Sequence, residues 1–232
     1  MKIRVEFSKL KNVRYISHLE LMDTIRRAVR RAKLPGEYTQ GYNPHLVLSL
    51  GQPLAVGMVG KGEFFDLDLK EKMDVNEIKK RLNDVLPSAI KIKEVKYVSD
   101  NVKSLQAIVN TAIYSIDFSY NKNKVEDEEF LKDLKTKDKI EIIRKRRNKK
   151  DRKLDLKPMI YDIKIDNKYP VWTFTVSTGS SGNVRPSELI RALSDRYKDI
   201  EEVPLVNVVR EGMYVRKNDK LLKPFSKQVV RS

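Results

Sequence analysis

Residues 1–34 read MKIRVEFSKLKNVRYISHLELMDTIRRAVRRAKL, and this stretch decides how the first half of the chain folds. Apolar residues alternate with charged ones from Met1 to Phe7, which is the period of a half-buried strand. Ser17 and Glu20 then have the spacing of a capping box, and apolar residues recur at helical spacing as far as Leu34. The stretch therefore predicts a strand followed by a capped amphipathic helix.

The same kinds of pattern continue along the chain and predict an α+β fold. Strands are expected at 46–50 and 63–69, a helix capped by Asp74 follows, and a strand at 90–98 changes phase near Glu94, which predicts a bulge. The resulting order, βαββαβ, is the ferredoxin-like pattern. We therefore predict two tandem ferredoxin-like (βαββαβ) domains, 1–98 and 110–212, the second with an extra basic β-hairpin. Residues 99–109 would be a linker and residues 213–232 a C-terminal tail.

The second half repeats the order of the first with one insertion. Alternation at 112–120 predicts a strand, residues 126–134 an acidic helix, and residues 140–147 with 152–156 the added hairpin. Strands at 160–165, 171–176 and 205–209 complete the set, with a helix from Pro186 to Tyr197 before the last of them.

Composition limits the classes of function. The chain has 232 residues and no cysteine, which excludes disulfides, thiolate zinc sites, a cysteine nucleophile and an all-cysteine iron-sulfur cluster. Two histidines argue against a multi-histidine metal site. No window is long and apolar enough for a membrane span, and the start lacks the apolar core of a signal peptide, so we expect a cytoplasmic protein with no membrane partner.

The charge balance favours a polyanionic partner. Forty-eight Lys and Arg against 32 Asp and Glu give a formal net charge of +16, and nucleic acid is the commonest polyanion that such a protein binds. The alternative is a lysine-rich surface without a specific partner. The distribution of the charges must decide between the two.

The first helix carries a dense set of arginines off its apolar face. The candidates for RNA contact here are Arg14, Arg26, Arg27, Arg30 and Arg31. Positions 26 and 30, and positions 27 and 31, are like charges one turn apart, and each such pair costs about 0.2–0.5 kcal/mol in an isolated helix. A bound phosphate would offset that cost. The alternative is a solvated face whose last arginines favour the helix C-terminus or pair with Asp66 and Asp68.

A second basic segment occupies the predicted hairpin. Eight of the ten residues from 144 to 153 are basic: Arg144, Lys145, Arg146, Arg147, Lys149, Lys150, Arg152 and Lys153. Alternation would place charge on both faces of such a ribbon, so neither face is expected in the core, and the ribbon is suited to follow a phosphate backbone. A solvated hairpin is the alternative.

The segment STGSSGNVRP at 177–186 links a strand to a helix N-terminus, where backbone amides favour an anion. The candidate anion-binding residues are Gly179, Ser180, Ser181, Gly182 and Arg185. The segment lacks the Gly-Lys-Ser/Thr of a Walker loop, and a plain flexible connection is an equal alternative.

His18 and His45 are the candidate acid/base residues. His18 follows the helix cap and Tyr15 precedes it by three residues, while His45 lies before a strand. Both histidines also fit a structural role, in which they satisfy backbone groups. No serine-hydrolase triad or paired-carboxylate glycosidase site is recognisable.

Several motifs resemble one known family. They are Tyr15-Ile16-Ser17-His18-Leu19-Glu20-Leu21, Gln40-Gly41-Tyr42-Asn43-Pro44-His45, Glu63-Phe64-Phe65-Asp66-Leu67-Asp68-Leu69 and Arg185-Pro186. Together with the basic helix they resemble the bacterial radical-SAM-associated family. The resemblance implies a pocket formed by Ser17, His18, Gln40, Gly41, Asn43, Pro44 and His45.

The resemblance also implies a partner. Members of that family occur beside, or fused behind, a radical SAM protein with a cobalamin-binding-like region, often near genes for RNA processing and ribosomal proteins. Since this chain has no cysteine, the iron-sulfur cluster and S-adenosylmethionine would belong to the partner and this chain would hold no cofactor. Docking is expected at Gly41–His45 and at the acidic stretch Glu126–Glu129.

The tandem architecture resembles a second group, the CRISPR repeat-processing endoribonucleases, which cut RNA without metal and often use a histidine of the first helix. His18, with Tyr15, would then be catalytic.

The leading prediction is an RNA-binding accessory protein without activity of its own that works with a radical SAM enzyme in RNA or ribosome-related modification. The alternatives are a metal-independent endoribonuclease and a protein-binding adaptor.

Overall fold

A computed structural model describes residues 1–119, 136, 138–145, 150–166, 170–180, 182–196 and 203–230. They form the α+β fold that the sequence predicts, with one large and mostly antiparallel sheet and few helices. The described strands are β1 (Lys2–Lys9), β2 (Leu48–Leu50), β3 (Val59–Asp68), β4 (Ile90–Val98), β5 (Thr111–Asp117), β6 (Glu141–Arg144), β7 (Arg152–Asp155), β8 (Ile160–Ile165), β9 (Val171–Ser177), β10 (Val208–Lys217) and β11 (Lys220–Leu222). The described helices are α1 (His18–Arg31), α2 (Val75–Val85), α3 (Leu105–Ile108), α4 (Pro186–Arg196) and α5 (Lys227–Val230).

The two halves of the chain share one sheet. Its strands run in the order β4-β1-β3-β10-β5-β9-β8, with β2 paired to β3 and β11 paired to β10. The first half thus has the order β4-β1-β3-β2, and the second half has the corresponding order β10-β5-β9-β8. The halves join where β10 runs parallel to β3, with Val209 opposite Val59 and Arg210 opposite Gly60. A Cβ on Gly62 would lie 3.0 Å from the backbone of Glu211, so this close approach favours glycine.

Local signals place the elements of the first half. Ser17 caps α1 in a capping box with Glu20, and Asp74 caps α2 by accepting from the amides of Asn76 and Glu77. The pairing of β1 with β4 shifts register between Glu6 and Phe7, opposite Glu94 and Ile92, which confirms the predicted bulge. The apolar faces of α1 and α2 pack against the Ile3, Val5 and Phe7 face of the sheet and form the first core.

The second half has its own core, to which the first half contributes. Trp172, Phe174 and the apolar face of α4 lie at its centre, and Leu54 and Met58 from the loop before β3 pack into it. The predicted hairpin forms as the antiparallel pair β6-β7. Neither face of this hairpin was expected in the core. In the structure, however, Ile142 is buried in the second core and Leu154 packs against that core. The hairpin is therefore amphipathic and is held on one side.

The opposite face of the first-half sheet is also covered. Leu105 of α3, Phe225 and Met213 pack with Phe64 in a third apolar cluster. Residues 99–109 therefore contain a helix that contributes to the fold. Residues 213–230, which belong to the expected tail, supply the end of β10, β11 and α5. Likewise, residues 205–207 form a 3-10 turn, and the strand predicted at 205–209 begins at Val208 as β10. Single-sequence patterns missed these segments because their burial depends on a sheet face that forms only after long-range pairing.

The predicted acidic helix at 126–134 lies outside the described residues. Within the residues that the structure describes, no helix has the length and apolar character needed to span a bilayer.

Candidate nucleic-acid interface

The C-terminal half of α1 presents arginines to solvent. Arg27, Arg30 and Arg31 are exposed, and among the described residues no carboxylate lies within 4.0 Å of their guanidinium groups. Arg27 donates to the hydroxyl of Thr24 at 3.3 Å. Arg26 differs, because it is partly buried and donates to Asp23 at 3.1 Å. The carboxylates of Asp66 and Asp68, considered as partners from the sequence, are held by Arg4 and Lys2 instead.

The segment before α1 combines a cation with exposed apolar side chains. The guanidinium of Arg14 lies over the ring of Tyr15, 5.0 Å from its centroid, in cation–π geometry. Tyr15 is 63% exposed and Leu19, in the first turn of α1, is 71% exposed. The loop carrying Val56 abuts this segment, since the amide of Gly57 donates to the carbonyl of Arg14. The start of α1 is thus a basic edge with an exposed aromatic ring.

His18 lies half-buried beside this edge and lines a water-sized hollow of about 10 Å³ together with Lys9, Gln52 and Glu63. Burial lowers the pKa of the His18 imidazole, and the positive charge of Arg210 lowers the pKa further, whereas Glu63 raises it. Burial and the charge of Arg210 thus favour the neutral imidazole, which is able to accept a proton.

Lys9 is a buried cation at the same place. Its ammonium group donates to the carbonyls of Arg14 at 3.1 Å and Ile16 at 2.9 Å, which fixes the turn that leads into α1. Burial lowers the pKa of Lys9, although the charge of Glu63 opposes the shift. Sequence reasoning missed this residue, because a lysine at the end of an alternating strand normally faces solvent.

Arg210 joins the two halves by a buried ion pair with Glu63. Its Nε donates to Glu63 at 2.8 Å, Nη2 also donates to Glu63 and to the carbonyl of Gln52, and Nη1 donates to the carbonyl of Pro53. Burial alone would lower the pKa of Arg210, but the Glu63 carboxylate raises it above its ordinary value. All these contacts cross between β10 and the first half, so the arginine has a structural role.

Arg4 forms a second buried ion pair on the covered face of the sheet. Nε and Nη2 donate to the two carboxylate oxygens of Asp66 at 2.7 and 2.8 Å, and the remaining donors reach the carbonyls of Pro224 and Lys103. The alternating pattern correctly puts Arg4 and Asp66 opposite the first core. It gives no sign that the linker and the C-terminal segment cover them.

The structure does not bring the whole motif-derived pocket together. Residues 40–45, which include Gln40, Gly41, Asn43, Pro44 and His45, form an exposed loop that does not line the hollow beside Ser17 and His18. Tyr42 at its tip is fully exposed, and the loop is closed by hydrogen bonds between Thr39 and His45.

The basic ribbon divides into structural and exposed cations. Arg144 donates to Glu188 at 2.6 and 2.7 Å and to the carbonyl of Asn183, and the Glu188 hydrogen bond raises the pKa of Arg144. This arginine therefore fastens β6 to α4. Lys153 pairs with Glu141 at the surface. Lys145, Lys150 and Arg152 are exposed, and Arg146, Arg147 and Lys149 lie outside the described residues.

The loop before α4 is more ordered than a plain connection. Gly179 has a φ of +89°, and a Cβ there would lie 2.7 Å from the carbonyl of Val109, so glycine is required. The hydroxyl of Ser177 donates to the carbonyl of Gly182. At the helix start, the amide of Arg185 donates to the Glu188 carboxylate, which therefore occupies the position expected for an anion. Anion binding by Gly179, Ser180, Gly182 and Arg185 stays a prediction, and Ser181 is not described.

No group of three or more potential metal-ligating side chains occurs in the part of the chain that the structure describes. Residues 2–186 match the model of a protein family whose description is "Uncharacterized protein conserved in bacteria (DUF2344)". No curated protein matches the chain.

Proposed function

Because the chain belongs to the DUF2344 family of conserved bacterial proteins, whose members are described as uncharacterized, we propose its function from its surface chemistry. It is an RNA-binding accessory protein whose main phosphate contacts are the exposed arginines of α1. The observation that carries this proposal is the set of Arg27, Arg30 and Arg31, exposed on one helix without a carboxylate partner in the described structure.

The chemistry of these arginines suits phosphate. A guanidinium group presents a planar set of donors that binds a phosphate with two hydrogen bonds, which a lysine ammonium group does not do. A phosphate also offsets the repulsion between Arg27 and Arg31, one helical turn apart. Arg14 and the exposed ring of Tyr15 extend the surface past the start of α1, where a base of a single strand can stack on the ring. Lys145, Lys150 and Arg152 of the ribbon are further phosphate contacts.

Salt dependence of RNA affinity tests the proposal. With about six phosphates neutralised on duplex RNA, the slope of log affinity against log salt is expected near roughly −5, by the rule of about 0.9 per phosphate. Replacing Arg27, Arg30 and Arg31 together by glutamine should weaken binding and flatten the slope by up to about 2.7.

A matched variant controls for net charge. Lys72, Lys80 and Lys91 are exposed on other elements, and their joint replacement by glutamine removes the same charge. This control should change the slope much less than the α1 variant does. Equal RNA affinity in the α1 variant and the unaltered protein would eliminate α1 as the contact surface.

The proposal of a protein partner rests on the motifs around Ser17 and Gln40, which resemble those of the radical-SAM-associated family. We infer that the chain presents RNA to a radical SAM enzyme, which would hold the iron-sulfur cluster and S-adenosylmethionine. The exposed side chains of Tyr15 and Leu19 at the start of α1, with exposed Val56 in the loop that contacts Arg14, favour a protein contact, because large exposed apolar side chains that lie together mark interaction surfaces. Affinity capture from a native host should recover a radical SAM protein. Recovery of proteins without any such enzyme would contradict the partner proposal, and recovery of the enzyme without RNA would favour the adaptor function.

A metal-independent ribonuclease is the second candidate, favoured by the lowered pKa of His18 beside the exposed Tyr15. A positioned histidine contributes roughly 10²- to 10⁴-fold to such a cleavage. The accessory proposal expects no RNA cleavage by the purified chain in EDTA. If the chain cleaves RNA, and His18→Ala abolishes cleavage but not RNA binding, the ribonuclease function is supported and the accessory proposal is wrong.

For the fold, we infer that the halves are two ferredoxin-like units that share one sheet. The support is the matching strand order, β4-β1-β3-β2 and β10-β5-β9-β8, with a helix after the first and third strands of the first half. Deleting β10 to the C-terminus should therefore expose the β3 edge and destabilise both halves.

A further inference from the structure

A cleft of about 300 Å³ opens between the two halves. One wall is the loop 52–58 before β3, and the other is the segment from Asn183 to Ser187 at the start of α4. Arg210 and Tyr114, both buried, lie at its floor. This volume is at the lower end of the roughly 300–1,000 Å³ typical of small-molecule sites, and such sites are often found where two units of a chain meet.

The walls of the cleft are largely apolar. Pro53, Leu54 and Met58 line the first-half side, and Val184 and Pro186 line the other. Leu54, Met58 and Val184 are buried in the second core, so these parts of the walls are fixed by packing. A cleft with apolar walls favours a weakly polar group such as an aromatic heterocycle.

The polar groups of the cleft are mostly donors. Arg185 is exposed, and no described carboxylate lies within 4.0 Å of its guanidinium group. Asn183 uses its Oδ1 to accept from Thr178, which leaves its amide hydrogens available, and Ser187 adds a hydroxyl group. The nearby carboxylates are already neutralised, Glu188 by Arg144 and Glu63 by Arg210. The cleft therefore offers a positive charge and donors to an anion without a competing acid.

We propose that this cleft binds one nucleoside monophosphate unit, with the base between the apolar walls and the phosphate at Arg185. The unit is either a free nucleotide or one unstacked nucleotide of a single-stranded RNA. In the second case the inference rests on the proposed RNA-binding function. The proposal does not depend on the dipole of α4, because the Glu188 carboxylate already accepts from the amide of Arg185, the residue before that helix.

Methyl NMR of the full chain tests the cleft. Met58 is the only one of the six methionines that lines it, so a ¹³C-methyl methionine sample reports occupancy directly. Adenosine and uridine monophosphates should shift the Met58 signal and leave Met22 and Met73, which pack against the first core, unchanged. Adenosine, uridine and inorganic phosphate, each lacking one part of the ligand, should bind at least about tenfold more weakly than the nucleotide.

Two variants locate the binding groups. Arg185→Gln should weaken nucleotide binding at least about tenfold by removing the charged donor, and the control Lys80→Gln on α2 should not. Ala55→Phe places a ring from an exposed loop position into the cleft and should remove the nucleotide-induced shift of Met58. Because Arg185 is exposed, its variant keeps the test valid if Ala55→Phe does not fold.

The outcomes separate this proposal from the proposed function, which is tested on duplex RNA with the α1 variant. Nucleotide binding that both cleft variants weaken supports the proposal with a free nucleotide as the source. Oligoribonucleotide binding that shifts Met58, and that Arg185→Gln weakens, supports it with RNA as the source. If neither probe shifts Met58 while duplex RNA still binds through α1, the cleft proposal is overturned and the RNA-binding function stands.

Discussion

Two groups of arginines in the described part of the chain differ in burial and in partners. Arg4 and Arg210 are buried and donate hydrogen bonds to carboxylates and carbonyls from distant parts of the chain. Arg27, Arg30 and Arg31 are exposed and meet no carboxylate among the described residues. The net charge of +16 therefore does not measure the charge available to a ligand, since some of the cations form buried ion pairs within the fold. The exposed group is the one that a polyanion can reach.

The largest effect is expected from Arg210→Met. This change leaves the Glu63 carboxylate buried without its partner and the carbonyls of Gln52 and Pro53 without donors, so it should lower the free energy of unfolding by about 3–5 kcal/mol. Urea denaturation measures the loss. The double variant Arg210→Met with Glu63→Leu removes both charges and should recover much of it. A loss below about 1 kcal/mol in the single variant would show that the pair is not effectively buried.

Lys9→Met tests a cation that is buried without a carboxylate in direct contact. The substitution removes the two hydrogen bonds to Arg14 and Ile16 but keeps the apolar volume, so it should lower the free energy of unfolding by about 1–3 kcal/mol. Lys11→Met, at an exposed position two residues later, is the control and should change it by less than about 0.5 kcal/mol. Equal effects of the two changes would place Lys9 with the exposed group.

His18 lies between the two groups and gives a smaller, pH-dependent effect. Its folded pKa lies below the unfolded value of 6.5, so as the pH falls the unfolded chain takes up the proton first. The stability linked to neutral His18 is complete above that value and is lost as the pH falls through the folded pKa. His18→Gln should therefore lose less Tm than the unaltered protein between about pH 7.5 and 5.

The charges that face His18 are those of Lys9, Glu63 and Arg210, and all three remain in the His18→Gln variant. His45→Gln, in the exposed loop, is the control and should leave the pH dependence of Tm in place. Parallel Tm curves for His18→Gln and the unaltered protein would show that the environment of His18 does not disfavour its charge.

The smallest effect is expected from the exposed arginines themselves. Arg30→Gln combined with Arg31→Gln should change the free energy of unfolding by less than about 0.5 kcal/mol, because lost favourable contact with the helix C-terminus and relieved repulsion oppose each other. Thermal unfolding at low salt measures the change. A destabilisation above about 1.5 kcal/mol would mean that these arginines support the fold and would remove the contrast with Arg210.

Local signals in the sequence predicted much of the first half. The capping box of Ser17 and Glu20, the cap at Asp74 and the phase change near Glu94 each depend on residues that are neighbours in the chain, and each is confirmed. The exposure of Arg27, Arg30 and Arg31 agrees with helical spacing, whereas Arg26 is partly buried and pairs with Asp23. Composition and spacing could not distinguish Arg144 from exposed cations such as Lys150. Only the structure shows that the side chain of Arg144 is held by Glu188.

By itself, then, the sequence determined the α+β class, the amphipathic first helix and which of its faces carries the arginines, because these depend on periodicity over a few residues. Only the tertiary structure decided that β10 lies between β3 and β5, that residues 99–109 and 213–230 cover the second face of the sheet, and that Arg4 and Arg210 are buried. The physical reason is the sequence separation between the residues that form these contacts. Asp66 and Glu63 meet arginines 62 and 147 residues away, and no local pattern encodes a desolvated contact between segments that only strand pairing brings together.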